Sequence, residues 1–552
     1  MWIQRFIILL IFTSAFDVFA QLESEFGFRS PLDIPTELTA GFGEIRPNHF
    51  HMGLDFRTSG REGLKIRAVE RGYLARIVIS PQGYGKVLYI NHPNGITSVY
   101  AHCSDFNQQI DSLVMAVQYR LELNEVDIRL TPNEIPILKG EAIAFSGNTG
   151  NSSGPHLHFE LRDTESQDAL NPLTHGFNIA DYQSPKIQSL KIYALTEDGF
   201  AISQKEMTIR GKDIDSIVIP ADFCSDRGGI GFAIEATDFC ERSSHSLGIH
   251  YLQVSCSKEV VAGFQLDRIS FDATRMVNAH CDYEEYTQHS HRYHKCFHSA
   301  TDPLTIYPSQ GKGILKISPD NSYPIRIDVG DAKGNNTVVN VTLIVQSGRP
   351  SATNQFFENF IFPNEERIIQ QKNCRIAISK NSLIEPLYQP TVKSDINSIG
   401  NPLLNRAIDI FFPLPSWHSE HSKYYIDVTM IDGKKRFLKT YTVAKELHAS
   451  TQYSGVFNLK IDVQAPIVQA LNFVSGQSTA RKKLTWKIKD AETTIRYYEL
   501  QVNGKWMPVY YDSKNDILEF ERSRALVGNL PYRLRVSDWC GNETILEGTF
   551  IF

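Results

Sequence analysis

Three short segments in the first third of the chain concentrate histidine, aspartate and glycine. They are Asn48-His49-Phe50-His51-Met52-Gly53-Leu54-Asp55, Val99-Tyr100-Ala101-His102, and Gly154-Pro155-His156-Leu157-His158-Phe159-Glu160-Leu161-Arg162. Imidazole and carboxylate are zinc ligands, and imidazole also carries protons near neutral pH. The third segment alternates polar and apolar residues, so on a strand His156, His158 and Glu160 share one face. Successive members of that face stand ~6–7 Å apart at Cα. One histidine can then bind a metal while its neighbour handles a water, and Glu160 is placed to orient a ring. In the first segment His51 and Asp55 are four residues apart. Fully extended they would be separated by about 13 Å, too far to share one ion at ligand distances of ~2 Å. The chain must bend between them, and Gly53 permits the bend. Two histidines and one carboxylate with a fourth position open make a catalytic zinc composition.

Competing readings of the same residues are weaker. His49 shares a strand face with His51 but lacks glycine and aspartate at the matching offsets. The Gly147 to Gly154 loop lacks the Gly-Lys-Ser/Thr ending of a phosphate cradle, and reads as a rim delivering His156. Cys103 follows His102, and neighbours on a strand point to opposite faces, so a thiol–imidazole pair is disfavoured. No His-Glu-x-x-His motif is present, which excludes the helical zinc-protease arrangement. A second cluster holds His280, Cys281, His289, His291, His294, Cys296 and His298. It meets no recognised zinc spacing. With Tyr283, Glu284, Glu285, Tyr286 and Arg292 around it, it reads as an exposed polar loop closed by a Cys281–Cys296 bridge.

The elements that must position the first cluster are short strands. Gly72 to Ile79, Lys86 to Ile90, Ile96 to Tyr100 and Glu141 to Phe145 are separated by turn signals such as Pro81-Gln-Gly83 and Pro93-Asn-Gly95. That texture predicts an antiparallel β domain over residues 21–182. One segment differs: Leu113, Val114, Val117 and Leu121 have helical spacing, predicting a helical insertion over Ile110 to Leu123. Beyond Ser184-Pro185 the chain is β-rich, with a weak repeat. Asp331-Ala-Lys-Gly-Asn335 and Asp538-Trp-Cys-Gly-Asn542, with a decayed form at Asp238-Phe-Cys-Glu-Arg242, each sit between β-runs as in tight hairpins. Pro185-Lys-Ile-Gln-Ser-Leu190 is echoed by Pro466-Ile-Val-Gln-Ala-Leu471. The expectation is a mainly β protein, with tandem Ig-like β-sandwich modules at residues 183–347, 355–447 and 463–552, and linkers near Gln346–Asn354 and Leu447–Gly455.

Composition narrows the function classes. The chain has 552 residues, 42% of them hydrophobic, and 56 basic against 62 acidic side chains for a net charge of −6. That balance argues against nucleic acid as a partner. Arg5 followed by the apolar Phe6 to Phe16 and by Val18-Phe19-Ala20 predicts a signal peptide over residues 1–20, cut before Gln21. The apolar run is shorter than the ~20 residues a spanning helix needs, and none longer follows. An exported chain with no membrane span after cleavage is expected, in a periplasm or outside the cell. Export permits disulfides, and Cys224–Cys240 joins Cys281–Cys296 as an expected local bridge.

The three histidine-bearing segments resemble the LytM/lysostaphin-type zinc endopeptidases, family M23. That family carries His-x-Gly-x-Asp early, Tyr-Ala-His in the middle and Gly-Pro-His-Leu-His-Phe-Glu late, and this chain has all three in order over roughly Phe42 to Asn171. The resemblance implies His51, Asp55 and His158 as ligands of Zn2+, and His102 and His156 as catalytic non-ligand histidines. It implies hydrolysis of peptidoglycan peptides by zinc-activated water. The C-terminal modules would position the enzyme or bind a cell-envelope protein. Some family members have lost ligands and act as silent regulators, but this chain keeps every position. A self-inhibited hydrolase, or an adhesive β-sandwich protein, are the readings from other classes. An autonomous enzyme would keep its activity when truncated after Tyr182.

Overall fold

The computed structural model describes residues 27–208, 213–224, 226–241, 243, 245–307, 311–350, 360–388, 398–400, 402–415 and 420–552. The expected signal peptide lies outside them, as do residues 351–354 of the first expected linker. Strands dominate, and no described helix is long and apolar enough to cross a membrane.

An antiparallel sheet carries the histidine segments. Its strands are β1 (Leu38–Ala40), β2 (Leu54–Arg57), β3 (Gly72–Ile79), β4 (Lys86–Asn91), β5 (Ile96–Ala101), β6 (Val126–Arg129) and β7 (His156–Asp163). They are ordered β1-β2-β7-β5-β4-β3-β6. The central strand β7 pairs with β2 on one side and β5 on the other, setting His158 opposite both Asp55 and Ala101. Its apolar partners Leu157, Phe159 and Leu161 are fully buried on the opposite face from the histidines. The helical insertion forms α1 (Gln108–Leu121), two residues earlier than its apolar spacing suggests. Asn107 caps it by accepting from Ile110 N–H, satisfying a donor that the first turn leaves free.

The next module packs two sheets. One contains β8 (Lys186–Leu195), β9 (Gly229–Thr237) and β10 (Tyr293–Lys295); the other contains β11 (Ser322–Gly330) and β12 (Asn336–Val345). A third unit places a five-stranded and a three-stranded sheet over a core that includes Ile376, Ile410, Ile426 and Phe457. The last pairs two four-stranded sheets around Trp486 and Phe550. It includes β13 (Ile467–Ala470), β14 (Lys483–Lys489), β15 (Asn529–Asp538) and β16 (Glu543–Ile551). The repeat units at Asp331 and Asp538 are hairpin turns, between β11 and β12 and between β15 and β16. The unit at Asp238 is not: the chain leaves β9 there, and Asp238 bridges Leu247.

Two sequence expectations are corrected. All eight cysteines are free. Cys224 precedes and Cys240 follows the nine-residue β9, whose length of roughly 30 Å far exceeds the span of a disulfide. Cys281 stands opposite His294, two residues short of Cys296. The His280–His298 region is also not a polar loop. It forms α2 (Val277–His280), α3 (Tyr283–His289) and β10, because Tyr293, His294 and Lys295 are recruited to pair with β9. His280 and His294 are buried with their ring nitrogens 2.9 Å apart, and their exposed neighbours His289 and His291 bind Glu285 and Glu235.

One core runs from the histidine-bearing sheet into the first module. Ala169 and Leu170 pair with Ile269 and Arg268 across the boundary. Thr274 Oγ1 accepts from Phe50 N–H at 3.0 Å, Asn278 donates to Asn48, and the Phe50 ring lies against His280. Phe50 and Met52, which flank His51, are therefore buried by both units. Exposing such side chains costs about 1.5–3 kcal/mol each, against a typical domain stability of about 5–15 kcal/mol. Truncation after Tyr182 is accordingly expected to abolish cooperative thermal melting and solubility, contrary to an autonomous domain. A soluble fragment that melts at the temperature of the intact protein would show that the shared core is dispensable.

Candidate metal centre

Strand pairing brings the first and third segments together. His51 lies just before β2, Asp55 within it, and His158 directly across from Asp55 on β7. The chain bends at Gly53 as expected, but its backbone is not left-handed there. Glycine is needed for clearance: a Cβ would stand 2.2 Å from Phe159 O and 2.9 Å from Glu160 Cγ. The bend lets β2 pass tightly over β7.

The two rings have their tautomers fixed from behind. A carbonyl can only accept, so His51 Nδ1–H donates to Gly41 O at 2.6 Å and leaves Nε2 bare. His158 Nε2–H donates to Glu160 Oε1 at 2.8 Å and leaves Nδ1 bare. These bare nitrogens are 3.1 Å apart, and Asp55 Oδ1 completes a triangle at 3.0 Å from His51 and 2.8 Å from His158. Three atoms that can each offer a lone pair thus face one another, an arrangement suited to a cation at their centre. A tetrahedral ion with ~2.0–2.1 Å bonds needs ligand edges of roughly 3.3 Å, close to those observed. The described residues here could hold a metal ion.

The electrostatics respond to the same convergence. Burial opposes charge on Asp55, yet His51 and His158 outweigh it and hold the carboxyl well below its ordinary range. Burial would likewise lower His158, but hydrogen bonds to Asp55 and Glu160 outweigh it and raise it to about 9. Glu160 is fully buried; that would raise its pKa, but Arg162, with help from His158 and Tyr84, brings it to about 2. Tyr84 Oη donates to Glu160 Oε1 at 2.5 Å and its ring stacks on His158 at 5.4 Å.

His102 and His156 stand beside the triangle, their ring centroids 4.8 Å apart. His102 ends β5 with a left-handed φ of 60°, a conformation that costs a non-glycine residue of order 1–3 kcal/mol. Its backbone N–H donates to Tyr84 O, and its Nδ1–H donates to Thr149 O at 2.8 Å. His156 Nδ1–H donates to Gly154 O at 2.9 Å, and its Nε2 lies 3.6 Å from Asp55 Oδ1. Burial lowers both rings below the ordinary histidine value, His102 to about 3 with repulsion from His158 and His156 added. Each is neutral at pH 7 with a bare Nε2.

All five singled-out residues are therefore together. His49, the competitor, is exposed and bound to Pro47 O. Cys103 is in the core, its thiol pushed up to about 12 by burial, which excludes a nucleophile. Tyr100 points away from the triangle and accepts from Val69 N–H, so its role is to hold the sheet. Sequence reasoning missed Arg162 and Tyr84. The first was legible, since it extends the period-two face of His156, His158 and Glu160; the second sits in the turn between β3 and β4, with no local signature.

Residues 49–119 match the family described as Peptidase family M23. Over 132 residues the chain is 35% identical to an uncharacterized metalloprotease of Haemophilus influenzae, covering 24% of this chain and 22% of that protein. Over 146 residues it is 30% identical to the DD-carboxypeptidase/endopeptidase Mpg of Neisseria meningitidis serogroup B, covering 26% and 28%. The chain thus spans about a quarter of the length of these curated relatives. Among solved structures, the catalytic domain of the prophage-encoded M23 protein EnpA from Enterococcus faecalis aligns at 25% identity over 27% of this chain and 98% of that one, with a TM-score of 0.20.

The brace behind His158 is testable. Glu160→Gln keeps the shape but loses the charge that holds the His158 tautomer and Arg162. With Zn2+ as the probe in competition with a chromophoric chelator, affinity should fall about 10–100-fold. Unchanged affinity would show that Glu160 does not position the ring.

Proposed function

From the peptidase family M23 domain that this chain carries, we propose that the protein is an exported zinc metalloendopeptidase that hydrolyses peptide bonds in peptidoglycan, in cross-links or stem peptides. The observation that carries this reading is the triangle of His51 Nε2, Asp55 Oδ1 and His158 Nδ1, whose lone pairs converge with both tautomers fixed. The donor set of two imidazoles and one carboxylate fits zinc and leaves a position for substrate. When bound, zinc supplies Lewis acidity, polarising a scissile carbonyl and bringing the pKa of water down to about 7.

The protein's own contribution is proton handling and orientation. His102 and His156 each spend Nδ1–H on a backbone carbonyl, so each presents Nε2 to the reacting groups. Kept neutral by burial, either ring can take a proton from the attacking water at Nε2. As an N–H, that ring then gives the proton to the departing amine. The lowered pKa of each ring makes its protonated form a ready donor.

The rim that delivers His156 is held by the last module. Tyr510 Oη accepts from Gly150 N–H at 3.2 Å, and Lys514 Nζ donates to Asn148 O and Ser152 O. Just past α1, Asn124 donates to Tyr498 O and accepts from Val509 N–H, and on α1 Tyr119 packs edge-on against Trp506. This arrangement supports a role for the module in shaping the groove. The name of the Neisseria relative supports cell-wall peptide as substrate, and the apolar segment after Arg5 supports export. A catalytically silent regulator is disfavoured because all five site residues are in place.

The test is mass spectrometry of fragments released from purified peptidoglycan by the zinc-loaded full chain. Peptide fragments are expected from the intact protein, with release slowed about 10²–10⁴-fold in His102→Ala at unchanged zinc content. Equal release by both proteins, or none from zinc-replete intact protein, would overturn the assignment.

A further inference from the structure

The chain builds the same three-aspartate cluster twice, far from the histidines. In the first module Asp181, Asp238 and Asp331 each bring a carboxylate oxygen within 4.8 Å of the others; in the last module Asp462, Asp490 and Asp538 do the same. The frame is repeated, although in the last module Thr493 Oγ1 bridges Asp462 and Asp490. Asp181-Tyr-Gln-Ser-Pro185 and Asp462-Val-Gln-Ala-Pro466 lead into β8 and β13. Those strands pair with β9 and β14, Lys186 opposite Thr237 and Ile467 opposite Lys489, so the strand partner ends directly at Asp238 or Asp490. The third aspartate opens the Asp-x-x-Gly-Asn hairpin turn. There Asn335 Nδ2 donates to Asp331 and to Asp181 O, and Asn542 Nδ2 donates to Asp538 and Asp462 O. Even the flanking threonines match: Thr337 and Thr544 each donate to the carbonyl of the linker proline at 2.6 Å.

Backbone and asparagine N–H donors hold Asp331 in place, and Gln183 N–H does so for Asp181. Asp238 is different. It is 96% buried, and its Oδ1 has no hydrogen-bond partner. A buried carboxylate oxygen without a donor costs several kcal/mol unless a cation meets it. Burial, with repulsion from Asp181 and Asp331, pushes the Asp238 carboxyl up to about 8, and Asp181 up to about 6. The nearby Lys333 does not fill the gap, since its ammonium donates to Asn178.

We propose that Asp181, Asp238 and Asp331 bind a hard divalent cation of the calcium class. The ligands are all oxygens, which excludes the soft metals and sets this site apart from the histidine triangle. The cluster joins a linker aspartate to two strand ends, so the cation fixes the module to the polypeptide that enters it. Asp181 lies where the histidine-bearing unit runs into the first module. In the last module the matching carboxylates of Asp462 and Asp490 are already met by Thr493 Oγ1.

Calorimetric titration of CaCl2 into the full chain tests this, after removal of divalent ions and reloading with one equivalent of zinc. Saturable calcium binding and a raised melting temperature are expected. Asp238→Asn should lose one calcium ion per chain, or weaken it at least tenfold, and should melt at or above the intact protein without calcium but below it with calcium. That crossing separates a cation site from simple packing, because the variant removes one repelling charge at constant volume. The proposal is overturned if the intact protein binds no calcium saturably, or if calcium stoichiometry and affinity are unchanged in Asp238→Asn. None of these readouts depends on peptidase activity.

Discussion

Everything in the histidine-bearing unit answers to one electrostatic problem: three electron-rich atoms held within about 3 Å of each other. Left alone they repel, so the fold must supply the force that keeps them there. It does so from behind, with Gly41 O, Glu160 and Arg162, and from the side, with Tyr84 stacked on His158. Glu160 and Arg162 are themselves buried, and their pairing is favourable only because each has several partners. The result is a candidate site whose geometry is braced by the protein's own contacts.

The sheet register converts this local arrangement into a global requirement. His158 faces Asp55 only if β7 and β2 pair as they do, and a slip of one residue would send all four polar members of β7 to the apolar side. The apolar members Leu157, Phe159 and Leu161 prevent that slip by their burial. The first module then buries Phe50 and Met52 on either side of His51, so the placement of this candidate ligand depends on a unit more than two hundred residues away.

The sequence made the site legible and the surroundings only partly so. Period-two alternation in His156 to Arg162 and the Gly53 offset between His51 and Asp55 are local patterns, and local patterns survive without a structure. Tyr84, Gly41 O and Thr149 O act through tertiary approach, which leaves no trace in spacing. The His280–His298 region misled because α3, none of whose residues is buried, stands between the buried His280 and His294, and the pairing that buries His294 comes from β9. The bridges misled because cysteine proximity in sequence says nothing about a strand standing between Cys224 and Cys240. The Asp-x-x-Gly-Asn repeat was visible, but its partners Asp181 and Asp490 could be recognised only once the strands had aligned them.

The contacts of the last module with α1 and the rim loop join residues separated by 360 to 388 positions. Closing a loop of that length is entropically slow to find, although the cost grows only logarithmically with its span. The five candidate site residues are complete by residue 158, yet the loop that holds His156 is finished by Tyr510 and Lys514. A chain emerging in order from its N-terminal side therefore carries its chemical groups long before it carries the clamp that steadies them. Synthesis order is thereby written into the assembly of the site, with later-made residues steadying an earlier-made loop.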